Sequence, residues 1–112
     1  MLMGEPPSPN LVTVMFTIDS MANARTIVKL LLDKKLIACA NMIEISSMYW
    51  WQSKIEEAEE VMVVLKARKD DFTLIEVEID RLHPYEVPCI VCYDIALGNR
   101  PYLDWVLDST ER

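Results

Sequence analysis

The chain has 112 residues, a length typical of one compact domain, and we predict a single domain over residues 10–112. Apolar residues make up 52% of the chain and charged residues 26%, a composition that excludes a disordered protein. The formal charge of −7 repels phosphate backbones and anionic lipids, so we expect neither nucleic acid nor a membrane surface as a partner.

The N-terminal segment is proline-rich and has neither a basic start nor a long apolar run. It therefore predicts a flexible leader over residues 1–9, and neither a signal peptide nor a membrane anchor. The chain has three cysteines, an odd number that is too small for a secreted disulfide scaffold. We infer reduced thiols and a cytoplasmic location.

The first predicted element is a β-strand over residues 11–18, a β-branched and apolar run that is too short for a typical helix and suits a strand buried on both faces. Ser20 follows it and has the side chain of a helix N-cap. In the helix behind it, apolar residues recur at offsets of three and four and form one stripe. The residues of this stripe are Ala24, Ile27, Val28, Leu31 and Leu32.

A long β-hairpin is predicted next. Residues 36–51 are rich in apolar and aromatic side chains without a steady helical period, which favours a long strand with a bulge near Ser46 and Ser47. Its partner is predicted over residues 60–67, a buried-strand pattern. The polar residues 52–54 and the acidic stretch after them fit the hairpin tip and an exposed start of the second strand.

A second helix, a fourth strand and a short closing helix complete the chain. Asp70 or Asp71 is expected to cap the second helix, and the helix ends at His83 because a proline follows. The fourth strand is predicted over residues 85–97, and Pro101 suits the first turn of the closing helix. The apolar stripe of the second helix consists of Phe72, Ile75, Ile79 and Leu82.

The predicted order is β-α-β-β-α-β with a C-terminal helix. This order is typical of an α+β, ferredoxin-like fold, in which two helices lie on one face of a four-stranded antiparallel sheet. We therefore predict this fold with an unusually long hairpin between its second and third strands.

The length of the hairpin predicts self-association. A strand over residues 36–51 spans roughly 50 Å when extended, whereas a compact domain of this size is only about 35 Å across. The overhanging part carries Met48, Tyr49, Trp50 and Trp51, whose exposure to water would be costly. A closed ring of subunits would cover these side chains and pair the edge strands, although geometry alone does not fix the number of copies.

One segment of the chain is especially distinctive: His83–Pro88, with the sequence HPYEVP after a predicted helix. Six further distinctive segments are Leu36–Asn41, Tyr49–Trp51, Lys54–Glu56, Val64–Lys66, Gly98–Asn99 and Tyr102–Trp105. Together these segments resemble the CutA family of divalent-cation tolerance proteins, and HPYEVP is the most specific of them. The resemblance covers residues 10–112, and this chain departs from the family at Ser53, where a glycine is usual.

The resemblance implies a homotrimer, held together by the hairpin 36–67, with a shape similar to that of PII signalling proteins. It also implies a role in the tolerance of divalent cations, notably copper, so Cu²⁺ or another divalent cation is the expected ligand. No catalytic reaction comes with the family, and we therefore expect a protein that is not an enzyme.

His83 and Cys89 are the candidate metal ligands, because imidazole and thiolate together suit a soft metal such as copper. Two ligands do not complete a site, so Glu86 or another subunit would have to contribute. The alternative is that His83 caps the carboxyl end of its helix. Cys89 and Cys92 match a C-x-x-C spacing, but residues three apart in a strand point to opposite faces and cannot readily chelate one ion.

A second candidate site is a cleft between subunits formed by Lys66, Tyr85, Glu86 and Trp51. Lys66 could hold an anionic ligand there as a point charge. The alternative is a plain ion pair between Lys66 and Glu86. The acidic residues of 56–60 have no surrounding calcium-type loop, so we interpret them as a solvated arm.

Three functions follow from these patterns. The leading hypothesis is a trimeric, non-enzymatic protein of metal-ion homeostasis that binds copper near His83 and Cys89. The second is a PII-like sensor, or an enzyme, that binds a small anionic metabolite between subunits. The third is a structural trimer that anchors a protein partner.

Overall fold

The structure is a computed structural model that describes Gly4 and residues 10–112. Apart from Gly4, the leader predicted over residues 1–9 lies outside the described residues. Within the described part of the chain, no helix is long and apolar enough to cross a membrane. The elements are β1 (Leu11–Ile18), α1 (Met21–Asp33), β2 (Cys39–Trp51), β3 (Lys54–Arg68), α2 (Phe72–Leu82), β4 (Ile90–Asp94) and α3 (Arg100–Ser109), with a 3₁₀ turn at Lys69–Asp71.

The four strands form one sheet in the order β2-β3-β1-β4, and every neighbouring pair is antiparallel. This order confirms the predicted ferredoxin-like α+β fold, with β1 and β3 in the middle and β2 and β4 at the edges. Helices α1 and α2 pack on one face of the sheet. Helix α3 packs with Leu11 and Ala38 in a second, smaller apolar cluster.

Strand β1 has the predicted bounds, but only one of its faces is fully covered. Its even-numbered residues are buried against α1 and α2, and Phe16 among them has an exposure of 0%. Its odd-numbered residues Thr13, Met15 and Thr17 are half-buried. The expectation of burial on both faces is therefore wrong for the single chain, because no helix within the described residues covers the middle of the second face.

The helix starts differ in how they are capped. At α1 the prediction is confirmed, since the Ser20 hydroxyl accepts a hydrogen bond from the backbone N–H of Asn23 at 3.1 Å. At α2, Asp71 stands at the cap position, but its carboxylate makes no capping hydrogen bond. It accepts instead from the Arg112 guanidinium at 2.7 Å. The predicted α1 stripe is buried except for Leu32, which is exposed.

The hairpin is more regular and longer in β3 than predicted. Its register runs without interruption from Cys39 opposite Lys66 to Trp51 opposite Lys54, so the bulge expected near Ser46 is absent. Strand β3 begins at Lys54, so it includes the acidic stretch that was expected as its exposed start as well as the buried run 60–67. Strand β2 begins at Cys39, because the buried residues 36–38 belong to the connection after α1.

Strand β4 is much shorter than the predicted 85–97. Only Ile90–Asp94 form a strand, opposite Phe16 to Val12 of β1. Proline has no backbone N–H to donate to a sheet, and Pro84 and Pro88 interrupt the preceding residues. Residues 84–89 therefore form a loop that is free to fold toward the hairpin.

The outer half of the hairpin projects beyond the rest of the sheet. Strand β1 ends opposite Val61, and the pairs from Ile45–Glu60 to Trp51–Lys54 continue past it. We call residues 45–60 the arm; its seven pairs extend about 23 Å at the rise of a strand. The molecule is 48 Å long, and its radius of gyration is 15.1 Å, against about 13 Å for a compact chain of this length. The predicted overhang is confirmed.

The tip of the arm is a two-residue turn. Gln52 and Ser53 have φ angles of 50° and 64°. Positive φ at both central residues is the geometry of a type I′ hairpin turn, whose twist matches that of the flanking strands. Neither residue is a glycine, so the turn carries some backbone strain.

Candidate functional site

A groove of about 700 Å³ is lined by the arm, by the loop 84–89 and by Thr17 at the end of β1. The register places Tyr49 and Trp51 on the same side of the arm as Glu60, and the loop adds Tyr85 and Glu86. Its remaining lining residues are Ser47, Met48, Trp50, Val87 and Cys89.

Glu60 and Tyr85 join the two sides of this groove. Glu60 is only 6% exposed, and its Oε2 atom accepts a hydrogen bond from the Tyr85 hydroxyl at 3.1 Å. Burial, together with the nearby charge of Glu60, raises the pKa of Tyr85 well above its usual value. The phenol therefore stays protonated and acts as the donor in this bond.

His83 fixes the start of the loop. Its Nδ1 atom accepts from the backbone N–H of Tyr85 at 3.1 Å. Because an accepting nitrogen carries no proton, the other nitrogen, Nε2, is the donor to the Thr17 carbonyl at 2.6 Å. The ring also makes edge contacts with Phe16 and Tyr85. His83 thus ties the loop to β1 and places Tyr85 over Glu60.

This geometry bears directly on the metal prediction. Cys89 is exposed and lines the groove, but both ring nitrogens of His83 are engaged in hydrogen bonds. Among the residues that the structure describes, no group of three or more His, Cys, Asp or Glu side chains could hold a metal ion. In the alternative prediction His83 caps its helix; it does stand at the C-cap position of α2, and its ring bonds to the end of β1. Metal ligation by His83 and Cys89 stays a prediction that requires further ligands from outside the single chain.

The predicted subunit cleft is only partly assembled within one chain. Trp51, Tyr85 and Glu86 all line the groove, whereas Lys66 does not. Lys66 lies twelve residues along β3 from Lys54, the partner of Trp51, which corresponds to about 40 Å of strand. No ion pair between Lys66 and Glu86 occurs among the residues that the structure describes, and the meeting of Lys66 with this group stays a prediction about the assembly.

Glu60 is the site residue that the sequence did not reveal. Residues Glu56, Glu57 and Glu59 are exposed, as expected of a solvated arm, but Glu60 is buried. The available signal was its position directly before the buried run that starts at Val61. Its burial also depends on Tyr85, which is 25 residues away in sequence.

A second polar contact lies at the opposite end of the hairpin. The Cys39 thiol is 3.3 Å from the Tyr102 hydroxyl of α3. Burial and this hydrogen bond raise the pKa of Tyr102 to about 12. Helix α3 is thereby attached to the start of β2.

Comparison with known proteins gives a consistent result. The family described as CutA1 divalent ion tolerance protein matches residues 12–109 of this chain. The divalent-cation tolerance protein CutA of Pyrococcus horikoshii is 40% identical over 102 residues, which is 91% of this chain and 100% of that protein. The corresponding protein of Archaeoglobus fulgidus is 38% identical over 98 residues, or 88% of this chain and 96% of that protein.

Solved structures resemble the fold over nearly the same range. A structure described as the periplasmic divalent cation tolerance protein CutA from Archaeoglobus fulgidus has a TM-score of 0.88 at 37% identity. The alignment covers 90% of this chain and 99% of that one. The similarity therefore includes the long hairpin as well as the helix-covered part of the sheet.

Proposed function

Since this chain belongs to the CutA1 family of divalent ion tolerance proteins, we propose that it contributes to the tolerance of divalent cations as a homotrimer. The observation that carries the proposal is the family match over residues 12–109, which includes nearly the whole described part of the chain. The proposal contains no catalytic step.

The arm supports the assembly. Met48, Trp50 and Ile55 are 69%, 73% and 62% exposed, and the register places them on one side of the arm. Apolar side chains of this size are rarely left in water on a soluble monomer. Three copies of the chain, each covering the next one's arm, would bury them, and the number three is what the family resemblance implies.

Copper, or another divalent cation, is the proposed ligand, held by His83 and Cys89 with help from a neighbouring subunit. An exposed thiol such as Cys89 is accessible to a soft metal. His83 would have to release the Thr17 carbonyl in order to offer Nε2. Metal binding at this position is therefore coupled to movement of the loop 84–89.

We also propose a cytoplasmic location, where the free thiols of Cys39, Cys89 and Cys92 would remain reduced. The Archaeoglobus fulgidus relative is described as periplasmic, so the two locations need to be distinguished. Fractionation of the source cells, followed by thiol alkylation of each fraction, tests this point. Recovery of the protein in an oxidising compartment would contradict it.

Two experiments test the main proposal. Light scattering should give about three times the chain mass of 12.9 kDa, and a stable single-chain mass at micromolar concentration would refute the assembly. Cells that lack the gene should grow poorly at raised copper concentration and recover when the gene is restored. Equal growth with and without the gene would refute the tolerance role.

A copper titration tests the proposed ligands. We expect His83→Ala and Cys89→Ser to lower copper affinity, whereas Cys92→Ser, which alters another exposed thiol on the same segment, should leave it unchanged. Unchanged stoichiometry and affinity in both of the first two variants would reject the His83–Cys89 pair.

The rival proposal is an anionic metabolite in the groove, and the size of the groove favours some small ligand. The charged residues of the groove are Glu60 and Glu86, so an anion would depend on Lys66 from a neighbouring subunit. A thermal-shift screen with anionic metabolites on wild type and Lys66→Ala tests it. Stabilisation that disappears in the variant would support this reading.

A further inference from the structure

Glu60 is a buried acid without a matching base. Its only hydrogen-bond donor among the described residues is the neutral Tyr85 hydroxyl, and no ion pair between described residues includes it. A carboxylate taken out of water is unfavourable unless a positive charge compensates it. Since Glu60 lines the groove, a cation in the groove could reach it.

The walls of the groove are suited to such a cation. Tyr49, Trp51 and Tyr85 line it together with Glu60, and an aromatic face attracts a positive charge through its quadrupole. None of the described residues that line the groove is a lysine, arginine or histidine, and Glu86 adds a second acid. A volume of about 700 Å³ is appropriate for a small organic molecule.

The surroundings reinforce this preference. A smaller depression is also lined by Glu60, together with the acids Asp19, Glu44 and Glu59, of which the register places Glu44 and Glu59 on the opposite face of the sheet. The chain as a whole carries a formal charge of −7. A concentration of negative charge around a partly apolar groove attracts cations and repels anions.

We propose that this groove binds a small organic cation, an alkylammonium or alkylguanidinium compound whose charged end pairs with Glu60 and whose hydrocarbon part lies against Trp51 and Tyr85. The ligand class differs from the inorganic divalent cations of the family name. A groove with aromatic walls and two acids offers an organic cation both apolar contact and charge, and the described residues form no metal-ligand cluster.

The test is a calorimetric titration of the full-length, assembled protein with agmatine, which carries an ammonium and a guanidinium group on a short hydrocarbon chain. We expect saturable binding with one site per chain. Glu60→Gln should weaken the affinity at least tenfold, and Trp51→Leu several-fold. The matched controls Glu57→Gln, on the exposed side of the arm, and Trp105→Leu, on α3, should each change it less than twofold.

Absence of saturable binding to the wild type would overturn the proposal, as would equal affinities of wild type and Glu60→Gln when circular dichroism shows that both are folded. Glutarate serves as the anionic probe. If glutarate bound and agmatine did not, with binding lost in Lys66→Ala, the groove would be an anion site instead.

A basic side chain from a second copy could pair with Glu60 in place of a ligand, and the experiment distinguishes this case. If a second copy occupies the groove, agmatine would not bind the assembled protein, and Glu60→Gln would lower the mass of the assembly in light scattering. This result would overturn the proposal. Because binding is counted per chain, the result can be interpreted whatever the number of chains in the assembly, and it is independent of the copper titration.

Discussion

The arm differs in burial from the rest of the domain, residues 10–44 and 61–112, which we call the body. Both consist of strands with large apolar side chains, yet Phe16 in the body is 0% exposed and Trp50 in the arm is 73% exposed. The body is covered by two helices of its own chain, whereas the arm extends past them. The comparison indicates that burial under its own helices stabilises the body, and it motivates the proposal that other chains bury the arm.

The largest expected effect is in the body. Phe16→Ala removes a fully buried ring that packs in the main core and contacts His83, and we expect a loss of about 3–5 kcal/mol in the free energy of unfolding. Urea unfolding followed by circular dichroism at fixed protein concentration measures it. Tyr93→Ala, at an exposed aromatic of β4, is the control and should cost less than about 1 kcal/mol. Similar losses in the two variants would remove the basis for assigning stability to the body.

A substitution in the arm should weaken assembly without unfolding the chain. Trp50→Glu is expected to leave the circular dichroism spectrum unchanged and to weaken assembly by about 2 kcal/mol, because a large apolar surface can no longer be buried. Light scattering over a dilution series measures the dissociation constant. Leu74→Glu, at an exposed apolar residue of α2, is the matched control and should not change the mass. If Trp50→Glu unfolded the chain without dissociating it, the arm would belong to the body.

The smallest effect tests the attachment of α3 to the base of the hairpin. The pKa of Tyr102 is raised to about 12 in the folded state from an ordinary value near 10, so folding favours the protonated phenol. This contribution is complete below pH 10 and is lost as the pH rises from 10 toward 12. Tyr102→Phe should therefore flatten the loss of stability in this range, at a cost of about 1 kcal/mol at neutral pH.

Urea unfolding of the wild type and Tyr102→Phe at pH values from 8 to about 11.5 measures this effect. Tyr93→Phe also removes one phenol, from an exposed position, and serves as the control. An identical pH dependence in the wild type and Tyr102→Phe would show that the contact with Cys39 does not connect α3 to the hairpin.

The sequence predicted the body better than the arm because the signals differ. β1 and the apolar stripe of α1 follow local periodicity, which depends on burial under the chain's own helices. The first half of β3 pairs with β2 despite its acidic side chains; its place in a hairpin predicted this pairing, whereas its own residues have no apolar strand pattern. Pro84 and Pro88 were visible in the sequence and account for the short β4, but a run of apolar residues had favoured a longer strand.

For the site, Trp51, Tyr85 and Glu86 were predicted from the sequence, and the structure places them in one groove. Glu60 was not predicted, because the burial of this residue depends on the loop that His83 holds in place. The role of Lys66 could not be decided from one chain, since a distance along a strand says nothing about a neighbouring copy.

The turn at Gln52 and Ser53 determines which side chains share a side of the arm. Successive side chains of a strand alternate, so one extra residue in this turn would shift β2 against β3 and invert its outer half. Tyr49 and Trp51 would then leave the side of Glu60, and Met48 and Trp50 would replace them there. The length of the two-residue turn thus determines which aromatic side chains share a side with Glu60, and a change in loop length at the tip would be more damaging than a change in its chemistry.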